Sequence, residues 1–547
     1  MKKILLITHL LCACACCLAQ QGENHNSQVS RNLEVFNEIY RQLDLFYVDT
    51  LSADTVIGWG IRSMMSPVDP FTDYFPSDDE ALRQMTTGKY AGIGSIIRYS
   101  KKEDRVVISE PYMDSPSYKA GVKAGDVILS IDGKDVKGMV NAKVSNMLRG
   151  EPGTTFELKV MRPGEDSPRA FQITRETIQV PSVPYYGQVA PGVGYIYLTG
   201  FTDGVCREVR QAFLDLKSQG CTQLVLDLRE NPGGAVNEAV DIVNLFVRKG
   251  QKVVYTKGKM KQADRAYHTA SEPIDTVMPM VVLVDGASAS ASEIVSGCLQ
   301  DIDRAVIVGE RTYGKGLVQA VREVAYRGSL KITTGRYYIP SGRCIQAYDY
   351  RHRNADGTAG TVPDSLTRVF HTRGGREVRD GGGIKPDIVV QQDSLPTLVY
   401  DLVASDEMFD YATRYVCQHD TIAPAGQFKL TDEEYADFVE YIASSGFTYN
   451  RRSDEVLEIL REVAQREGYL ERAQAEFDAL KAKFSNDLRG DLMHFQHQID
   501  RFVADEIVRR YYYQRGGVQQ QLVDDPFVTK ALEVLASPEQ YHTILAP

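Results

Sequence analysis

The chain is 547 residues long, which is too long for a single hydrophobic core, so we expect several domains. Apolar and charged residues make up 43% and 25% of it, as is typical of soluble globular proteins. The formal net charge of −11 argues against nucleic acid or an anionic membrane surface as a partner.

The first predicted element is a targeting segment. An apolar run from Ile4 to Leu18 follows a basic start and is too short to span a bilayer. The small residue Ala19 fits a signal-peptidase site, so we predict a signal peptide over 1–19 and an exported, periplasmic protein. The alternative is a membrane-anchored lipoprotein, because the run from Leu11 to Cys14 is a loose lipobox.

Residues 20–88 form a predicted N-terminal helical segment. Apolar side chains recur there with helical spacing, at Leu33, Phe36, Ile39, Tyr40 and Leu43. A second helix is predicted around 53–66.

Residues 89–177 change to short strands separated by glycine turns. They open with Gly92-Ile93-Gly94 and include a glycine-rich run over 121–133 and an alternating strand over 156–162. This segment resembles a PDZ domain of the bacterial, circularly permuted kind; another small β domain rich in glycine turns is the alternative. A PDZ domain adds a peptide as an extra strand and captures its C-terminal carboxylate with backbone N–H groups. We therefore expect the Gly92-Ile93-Gly94 loop to bind peptide.

Residues 178–395 alternate strands with helices. The predicted strands are Gly194–Leu198, Gln223–Leu228, Lys252–Tyr255, Met280–Val284 and Ala305–Val308, with helices around 204–218, 235–249 and 291–302. This alternation predicts an α/β core with functional loops at strand ends. A strand-rich return over 317–338 and a polar surface insertion over 347–380 follow.

Residues 396–547 are predicted to be a C-terminal helical domain. The run from Thr431 to Glu434 is a capping box. Amphipathic stretches follow over 454–484 and 487–513. They carry no visible chemistry, so we expect them to serve packing or assembly, and we predict a homo-oligomer.

Two short phrases carry the candidate chemistry. The serine-rich run from Ser288 to Ser292 lies between the Met280–Val284 strand and a predicted amphipathic helix. A serine at such a turn lies at a helix N-terminus, where free N–H groups and the helix dipole favour developing negative charge. In the second phrase Lys315 lies between two glycines, with Gln319 four residues further on.

A serine hydroxyl needs a base to become a nucleophile. Histidine is the usual base, but no histidine of this chain lies in a glycine-rich or strand-end motif. The nucleophile-elbow pattern and the His-Glu-x-x-His zinc motif do not occur either. Lys315 remains, and a buried amine loses its proton more readily because desolvation disfavours the ammonium. Gln319 can orient that amine without adding charge, and no metal or cofactor is implied.

The oxyanion formed by serine attack needs preorganised donors. One candidate is the N–H group of Ala291, which would follow the nucleophile. The phrase from Asp227 to Gly234 follows a predicted buried strand and offers the N–H group of Gly233, with Gly234 next, since Pro232 has no N–H.

Together these phrases resemble the carboxyl-terminal processing peptidases, also called tail-specific proteases, over about residues 30–395. The resemblance implies that Ser290 is the nucleophile, that Lys315, 25 residues later, is the base, and that Gln319 supports it. It also implies a helical N-terminal segment, a PDZ lid and a crotonase-like α/β core. The loop from Arg229 to Gly234 matches the family's Arg-x-Asn-x-Gly-Gly motif, with proline where some members have glycine.

We therefore expect a serine endopeptidase that cleaves exported proteins near their C-termini, with the PDZ domain recognising the free tail and with an adaptor protein as a possible partner. The alternatives are a catalytically inactive PDZ-containing peptide-binding or assembly protein and a lipid- or retinoid-binding relative of the same core. Ser288 and Ser292 are interpreted as capping or packing residues, and Glu293 as a first-turn acid. Arg162 is either a solvated strand residue or a link between the PDZ domain and the active site.

Overall fold

The computed structural model describes residues 25–76, 84, 87–392, 394–449, 451–483 and 487–546. The predicted signal peptide and the lipobox at Cys14 therefore lie outside the described residues. The chain divides into two compact units, of which the first comprises residues up to 76 together with 321–332. Within the described residues, no helix has both the length and the apolar character needed to cross a membrane.

The first unit contains the two predicted N-terminal helices. Its elements are α1 (His25–Phe46), α2 (Ala53–Met65) and β1 (Asp73–Phe75). Strand β1 pairs antiparallel with residues 329–331. This pairing joins the hairpin tip 321–332 to the first unit, whereas the sequence pattern predicts that those residues belong to the α/β core.

The PDZ-like segment is a small antiparallel β domain. Its elements are β2 (Lys89–Gly92), β3 (Ser95–Ser100), β4 (Arg105–Pro111), α3 (Pro116–Ala120), β5 (Val127–Ile131), β6 (Lys134–Asp135), α4 (Asn141–Leu148), β7 (Thr155–Met161), β8 (Arg169–Thr174) and β9 (Glu176–Gln179). The main sheet runs in the order β3-β4-β5-β7-β8, and β2 pairs separately with β9. Because β3 lies at an edge, it is open to a further strand.

The α/β core follows the predicted alternation closely. Its elements are β10 (Tyr185–Ala190), β11 (Val193–Tyr197), α5 (Val205–Ser218), β12 (Gln223–Asp227), α6 (Val236–Phe246), β13 (Lys252–Gly258), β14 (Ala266–His268), β15 (Met280–Val284), α7 (Ala291–Asp301), β16 (Val306–Gly309), β17 (Leu317–Val324), β18 (Gly328–Tyr338), β19 (Tyr348–Arg353), β20 (Ala359–Thr361), β21 (Val369–His371), β22 (Glu377–Arg379) and β23 (Ile388–Val389). The main sheet runs β10-β11-β12-β15-β16-β23 and is parallel from β11 onwards. Helices α5, α6 and α7 cover one face of it. The insertion over 347–380 forms two short hairpins.

The remaining chain is helical, as predicted. Its elements are α8 (Thr397–Ala404), α9 (Asp406–Gln418), α10 (Asp432–Ser444), α11 (Arg452–Arg466), α12 (Leu470–Lys483), α13 (Leu488–His494), α14 (Gln496–Gln521), α15 (Pro526–Ala536) and α16 (Pro538–Leu545). The Thr431 capping box begins α10. The single stretch predicted over 454–484 is broken at Gly468, whose φ of 76° lies in the left-handed region that ends helices.

The last two helices belong to the packing of the α/β core. Phe527, Val528 and Leu535 are buried against the sheet residues Val225 and Val281. Helices α15 and α16 therefore cover the sheet face opposite to α5, α6 and α7, which gives the core three layers. The last part of the predicted helical domain over 396–547, helices α15 and α16, therefore packs as part of the α/β core.

The PDZ domain rests on the helical domain. Arg98 pairs with Asp406 at 2.8 Å, and Lys102 pairs with Asp410 at 2.7 Å. By contrast, Arg162 pairs with the buried Asp126 of its own domain at 2.8 Å. Its guanidinium group therefore stabilises the PDZ domain from within, and among the residues that the structure describes it makes no hydrogen bond or ion pair to the active site.

Candidate active site

Ser290 occupies the strained turn between β15 and α7. It is the N-cap residue of α7, with φ 56° and ψ −110°, a conformation that costs a non-glycine residue about 1–3 kcal/mol. This confirms the predicted strand–turn–helix junction. The flanking serines are fully buried, and their hydroxyl groups donate to backbone carbonyls: Ser288 to Leu228 at 2.8 Å and Ser292 to Asn231 at 2.9 Å. Both contacts confirm the packing interpretation.

The loop that carries Lys315 lies directly against the serine turn. The Tyr313 N–H group donates to the Ser288 carbonyl at 3.1 Å. A Cβ atom on Gly314 would lie 2.3 Å from the Ala347 Cβ, and one on Gly316 would lie 2.7 Å from the Gln346 N. Both glycines are therefore required for the close packing of this loop.

The side chains of Lys315 and Gln319 are both half-buried. The Gln319 Nε2 donates to the Thr333 Oγ1 at 3.2 Å. The structure thus places the Lys315 loop against the serine turn, while Gln319 contacts β18; the catalytic roles of Ser290, Lys315 and Gln319 remain predictions.

Glu293 is the residue of this site that sequence analysis underrated. It is fully buried, and its Oε2 accepts the N–H groups of both Ser290 (2.9 Å) and Lys315 (2.8 Å). Its Oε1 accepts the Gly314 N–H at 2.7 Å and the Thr312 hydroxyl at 2.5 Å. Burial raises the pKa of Glu293 to about 7, although these hydrogen bonds lower it. The only sequence signal was a glutamate three residues after a capping serine.

A buried tyrosine approaches the same two residues from the other side. The Tyr337 hydroxyl lies 3.1 Å from the Ser290 carbonyl oxygen and 2.7 Å from the Lys315 carbonyl oxygen. The predicted nucleophile and base are therefore joined through one carboxylate and one phenol.

The predicted oxyanion loop is in contact with the serine turn. A Cβ atom on Gly233 would lie 2.8 Å from the Ser290 Cβ and 2.9 Å from the Ala291 N. Ala291 opens α7, so its N–H group has no acceptor one turn earlier in the helix. The Gly233 N–H donates to the Asn231 Oδ1 at 2.9 Å. Its predicted role as an oxyanion donor therefore requires that it leave this acceptor when substrate binds.

Arg229 anchors the start of the same loop. Its guanidinium group pairs with Asp227 at 2.6 Å and with Asp525 at 2.8 Å, and it lies 4.9 Å from the ring centroid of Phe527. Since Asp525 and Phe527 belong to the start of α15, the C-terminal helices hold the loop that contains Gly233.

The predicted peptide cradle is built around Tyr90. Ile93 is buried in the PDZ core, while Gly94 takes a φ of 74°. A Cβ atom on Gly92 would lie 3.0 Å from the Tyr90 ring, and the Arg149 guanidinium lies 5.2 Å from the centroid of that ring. The Tyr90 hydroxyl faces the backbone N–H groups of Gly94 and Ser95. Burial raises the pKa of Tyr90, and these N–H groups act in the opposite direction.

Comparison with known proteins identifies the family. Peptidase family S41 matches residues 192–364, a PDZ domain matches 107–162, and the C-terminal helical domain of a probable PDZ-protease matches 398–535. The carboxy-terminal-processing protease of Bartonella bacilliformis is 34% identical over 335 residues, which cover 60% of this chain and 76% of that protein. The chain belongs to the carboxyl-terminal processing peptidases of family S41. It is a serine-type peptidase with a PDZ domain and a C-terminal helical domain.

Two further proteins are similar to this peptidase in sequence. The chloroplastic C-terminal processing peptidase of Tetradesmus obliquus is 36% identical over 299 residues, covering 52% of this chain and 64% of that protein. The solved photosystem II D1 C-terminal processing protease is 29% identical, covers 66% of this chain and 93% of its own, and superposes with a TM-score of 0.34.

Proposed function

We propose that this peptidase is a serine–lysine endopeptidase that cleaves exported proteins near their C-termini. The observation that carries the proposal is the attachment of Ser290 and Lys315 to the same Glu293 oxygen, at 2.9 and 2.8 Å. Because the backbone N–H groups of both residues bond to one atom, the two loops lie side by side. This supports the proposal that the Ser290 hydroxyl and the Lys315 amine come close enough for proton transfer. The crotonase-like architecture implied by the family resemblance belongs to the same proposal.

The reaction proceeds through an acyl-enzyme. The Ser290 Oγ attacks the scissile carbonyl carbon while the neutral Lys315 amine takes its proton. The N–H group of Ala291, with that of Gly233 once it is released from Asn231, stabilises the oxyanion. The resulting ammonium returns the proton to the leaving amine as the C–N bond breaks. Water, activated by the same amine, then releases the new C-terminus and restores the serine.

The PDZ domain would select the substrate tail. Strand β3 lies at the sheet edge and directly follows the loop Gly92-Ile93-Gly94. A peptide added along β3 therefore ends near the N–H groups of Gly94 and Ser95 with its carboxylate. We expect amidation of a substrate's C-terminus to slow cleavage, and equal rates for acid and amide would contradict recognition of the tail.

Export, assembly and adaptor use are parts of the same proposal. We propose that residues 1–19 are a signal peptide and that the mature protein is periplasmic, with acylation of Cys14 as the alternative; the N-terminal mass of the mature protein separates the two. Helix α1 has an apolar stripe in which every side chain is exposed, at Val29, Leu33, Phe36, Ile39 and Leu43. Such a stripe favours pairing with a second copy of the chain, which light scattering measures. If an adaptor protein delivers substrates, adding it should raise the cleavage rate of the substrate that it binds and leave the rates of other substrates unchanged.

The deciding experiment compares wild type, Ser290→Ala and Lys315→Ala on an unstructured protein such as casein, by gel and mass spectrometry. We expect both variants to lose cleavage and the wild-type fragments to end near the substrate's tail. Cleavage by Ser290→Ala would remove Ser290 as nucleophile. Binding of tail peptides by an inert wild type would instead support the inactive peptide-binding alternative.

A further inference from the structure

The mechanism above leaves unused the buried carboxylate at its centre. Glu293 sits in the first turn of α7, is fully buried and receives four hydrogen bonds, all from neutral donors. A carboxylate without charge compensation is costly to bury. A glutamine would cap the helix at a lower desolvation cost, but it has only one acceptor oxygen. The carboxylate has two, and both accept hydrogen bonds here.

Each Glu293 oxygen has a distinct position. The Oε2 accepts from Ser290 and from Lys315, and so joins the two predicted reacting residues. The Oε1 accepts from Gly314 and Thr312, which precede the lysine. One oxygen therefore sets the spacing between the two residues, while the other fixes the direction from which the lysine loop arrives.

Tyr337 contacts the same two residues, but through their backbone carbonyl groups. It is 1% exposed, and its hydroxyl lies within hydrogen-bond distance of the carbonyl oxygens of Ser290 and Lys315. The peptide groups at the nucleophile and at the base are thus attached to the same two side chains, through N–H on one side and C=O on the other. The contacts of Glu293 and Tyr337 with the Ser290 backbone hold that residue at its positive φ.

We propose that Glu293 and Tyr337 are positioning residues that fix the spacing between the Ser290 hydroxyl and the Lys315 amine. Neither side chain touches the substrate. Their effect is exerted through the two backbones, where a displacement of about 1 Å can cost roughly a hundredfold in rate. This inference rests on the proposed serine–lysine mechanism and extends it to two residues outside the predicted Ser290, Lys315 and Gln319 set.

The test uses Glu293→Gln and Tyr337→Phe in the full-length protein, with Tyr435→Phe as a matched control. Glutamine replaces one acceptor oxygen by an NH₂ group that opposes N–H donors. Tyr435 is also 1% exposed, and its hydroxyl donates to the Leu492 carbonyl at 2.6 Å, within the helical domain. It therefore reports the cost of losing a buried phenol hydrogen bond away from the active site.

We expect kcat on a tail-bearing peptide to fall roughly ten- to hundredfold in both variants while KM changes little. The rate at which a fluorophosphonate labels Ser290 should fall in parallel. Tyr435→Phe should lower the melting temperature by about as much as Tyr337→Phe does, but it should leave kcat unchanged. If Tyr337→Phe and Tyr435→Phe have equal kcat, or if Glu293→Gln folds and keeps its kcat, the inference is wrong.

The outcome is separable from that of the mechanism itself. If Ser290→Ala or Lys315→Ala remains active, the serine–lysine mechanism fails whatever Glu293 does. If both are inactive while folded Glu293→Gln and Tyr337→Phe retain full kcat, the mechanism stands and only the positioning role is refuted. Should Glu293→Gln fail to fold, Tyr337→Phe alone decides, because it deletes one hydroxyl and leaves the carboxylate in place.

Discussion

At the serine turn, a single glycine separates the oxyanion loop from the nucleophile. Gly233 has a φ of 101°, and its Cα faces the Ala289 carbonyl and the Ser290 Cβ. A β-carbon there would lie 2.7 and 2.8 Å from these two atoms, so a side chain cannot enter without moving the turn. Close approach of this loop to the serine is thus obtained by omitting a side chain rather than by adding a contact.

We therefore expect Gly233→Ala to reduce kcat by at least roughly a hundredfold, because both the turn and the oxyanion donors move. Gly286→Ala is the control, since a β-carbon on Gly286 meets no atom within 4 Å, and it should keep wild-type activity. Steady-state kinetics on casein-derived peptides measures both. Normal activity in Gly233→Ala would mean that the loop does not face the reacting carbonyl.

Tyr90 gives a second prediction at this scale. Its hydroxyl faces the Gly94 and Ser95 N–H groups that a substrate carboxylate would use, so Tyr90→Phe should release them. Since a neutral hydrogen bond is worth about 0.5–1.5 kcal/mol net, the affinity for a tail peptide should rise roughly two- to tenfold. Fluorescence anisotropy in the Ser290→Ala background measures this without cleavage.

Thr155→Val is the control for this measurement, because it removes a hydroxyl that hydrogen-bonds to the Thr174 hydroxyl on the surface of the same domain, on strands away from β3. It should leave peptide affinity unchanged. Unchanged or weaker binding by Tyr90→Phe would show that the carboxylate is held elsewhere in the PDZ domain.

At the scale of secondary-structure elements, the sequence predicts those features that the local pattern of apolar and small residues determines. The apolar run Met280–Val284 followed by small residues indicated a strand, a turn and a helix, and the structure confirms all three. The local sequence indicates only a first-turn acid at Glu293, because it cannot show that the backbone N–H group of Lys315, 22 residues further on, donates to this carboxylate. For the same reason, the pairing of β1 with residues 329–331 and the packing of α15 on the sheet escaped prediction.

The contact between α15 and the oxyanion loop can be tested separately from the fold of α15. Asp525 accepts the Phe527 N–H at 2.8 Å as the helix cap and pairs with Arg229 at 2.8 Å. Asparagine caps helices as well as aspartate does, so Asp525→Asn keeps the cap and removes the ion pair. We expect a loss of about 1–3 kcal/mol in stability and a severalfold fall in kcat.

Thermal melting and peptide kinetics measure the two effects of Asp525→Asn. Glu440→Gln, which breaks the exposed pair of Glu440 with Arg489 in the same helical domain, should change neither quantity. If kcat in Asp525→Asn equals that of the wild type, α15 covers the sheet without holding the loop.

At the scale of the whole molecule, the helical domain touches both functional parts of the second unit. Helix α9 supports the PDZ domain through Asp406 and Asp410, and the start of α15 holds Arg229 next to the active site. Helix α14 lies between them in the chain and contacts β4 of the PDZ domain through Arg509 and Glu110, 3.9 Å apart. A change in PDZ docking therefore has a physical route to the oxyanion loop.

We expect Glu110 to make this docking contact sensitive to pH. It is 6% exposed, and burial raises its pKa to about 7. Arg509 favours its charged form, whereas the nearby Asp505 and Glu506 oppose it. Tyr112 and Tyr513 are its other titratable neighbours. Within the described part of the chain, its Oε1 has no hydrogen-bond partner.

The sign of the pH effect follows from the raised pKa. Between about 4.5, the ordinary value for glutamate, and about 7, the folded protein keeps a proton that the unfolded chain has lost. Stability therefore falls as pH rises through this window, by on the order of 3 kcal/mol, and this contribution is constant above it. Glu110→Gln removes this dependence, because its amide does not titrate.

We expect the melting temperature of the wild type, relative to Glu110→Gln, to fall between pH 5 and 7 and to stay level from pH 7 to 8.5. Hydrogen exchange in β4 and α9 should rise over the same window, since both lie at the docking contact. Glu151→Gln, an exposed change in the same domain, should follow the wild type at every pH. Parallel melting curves for wild type and Glu110→Gln would show that Glu110 keeps its charge when buried, and docking would then depend on the surface pairs at Asp406 and Asp410 alone.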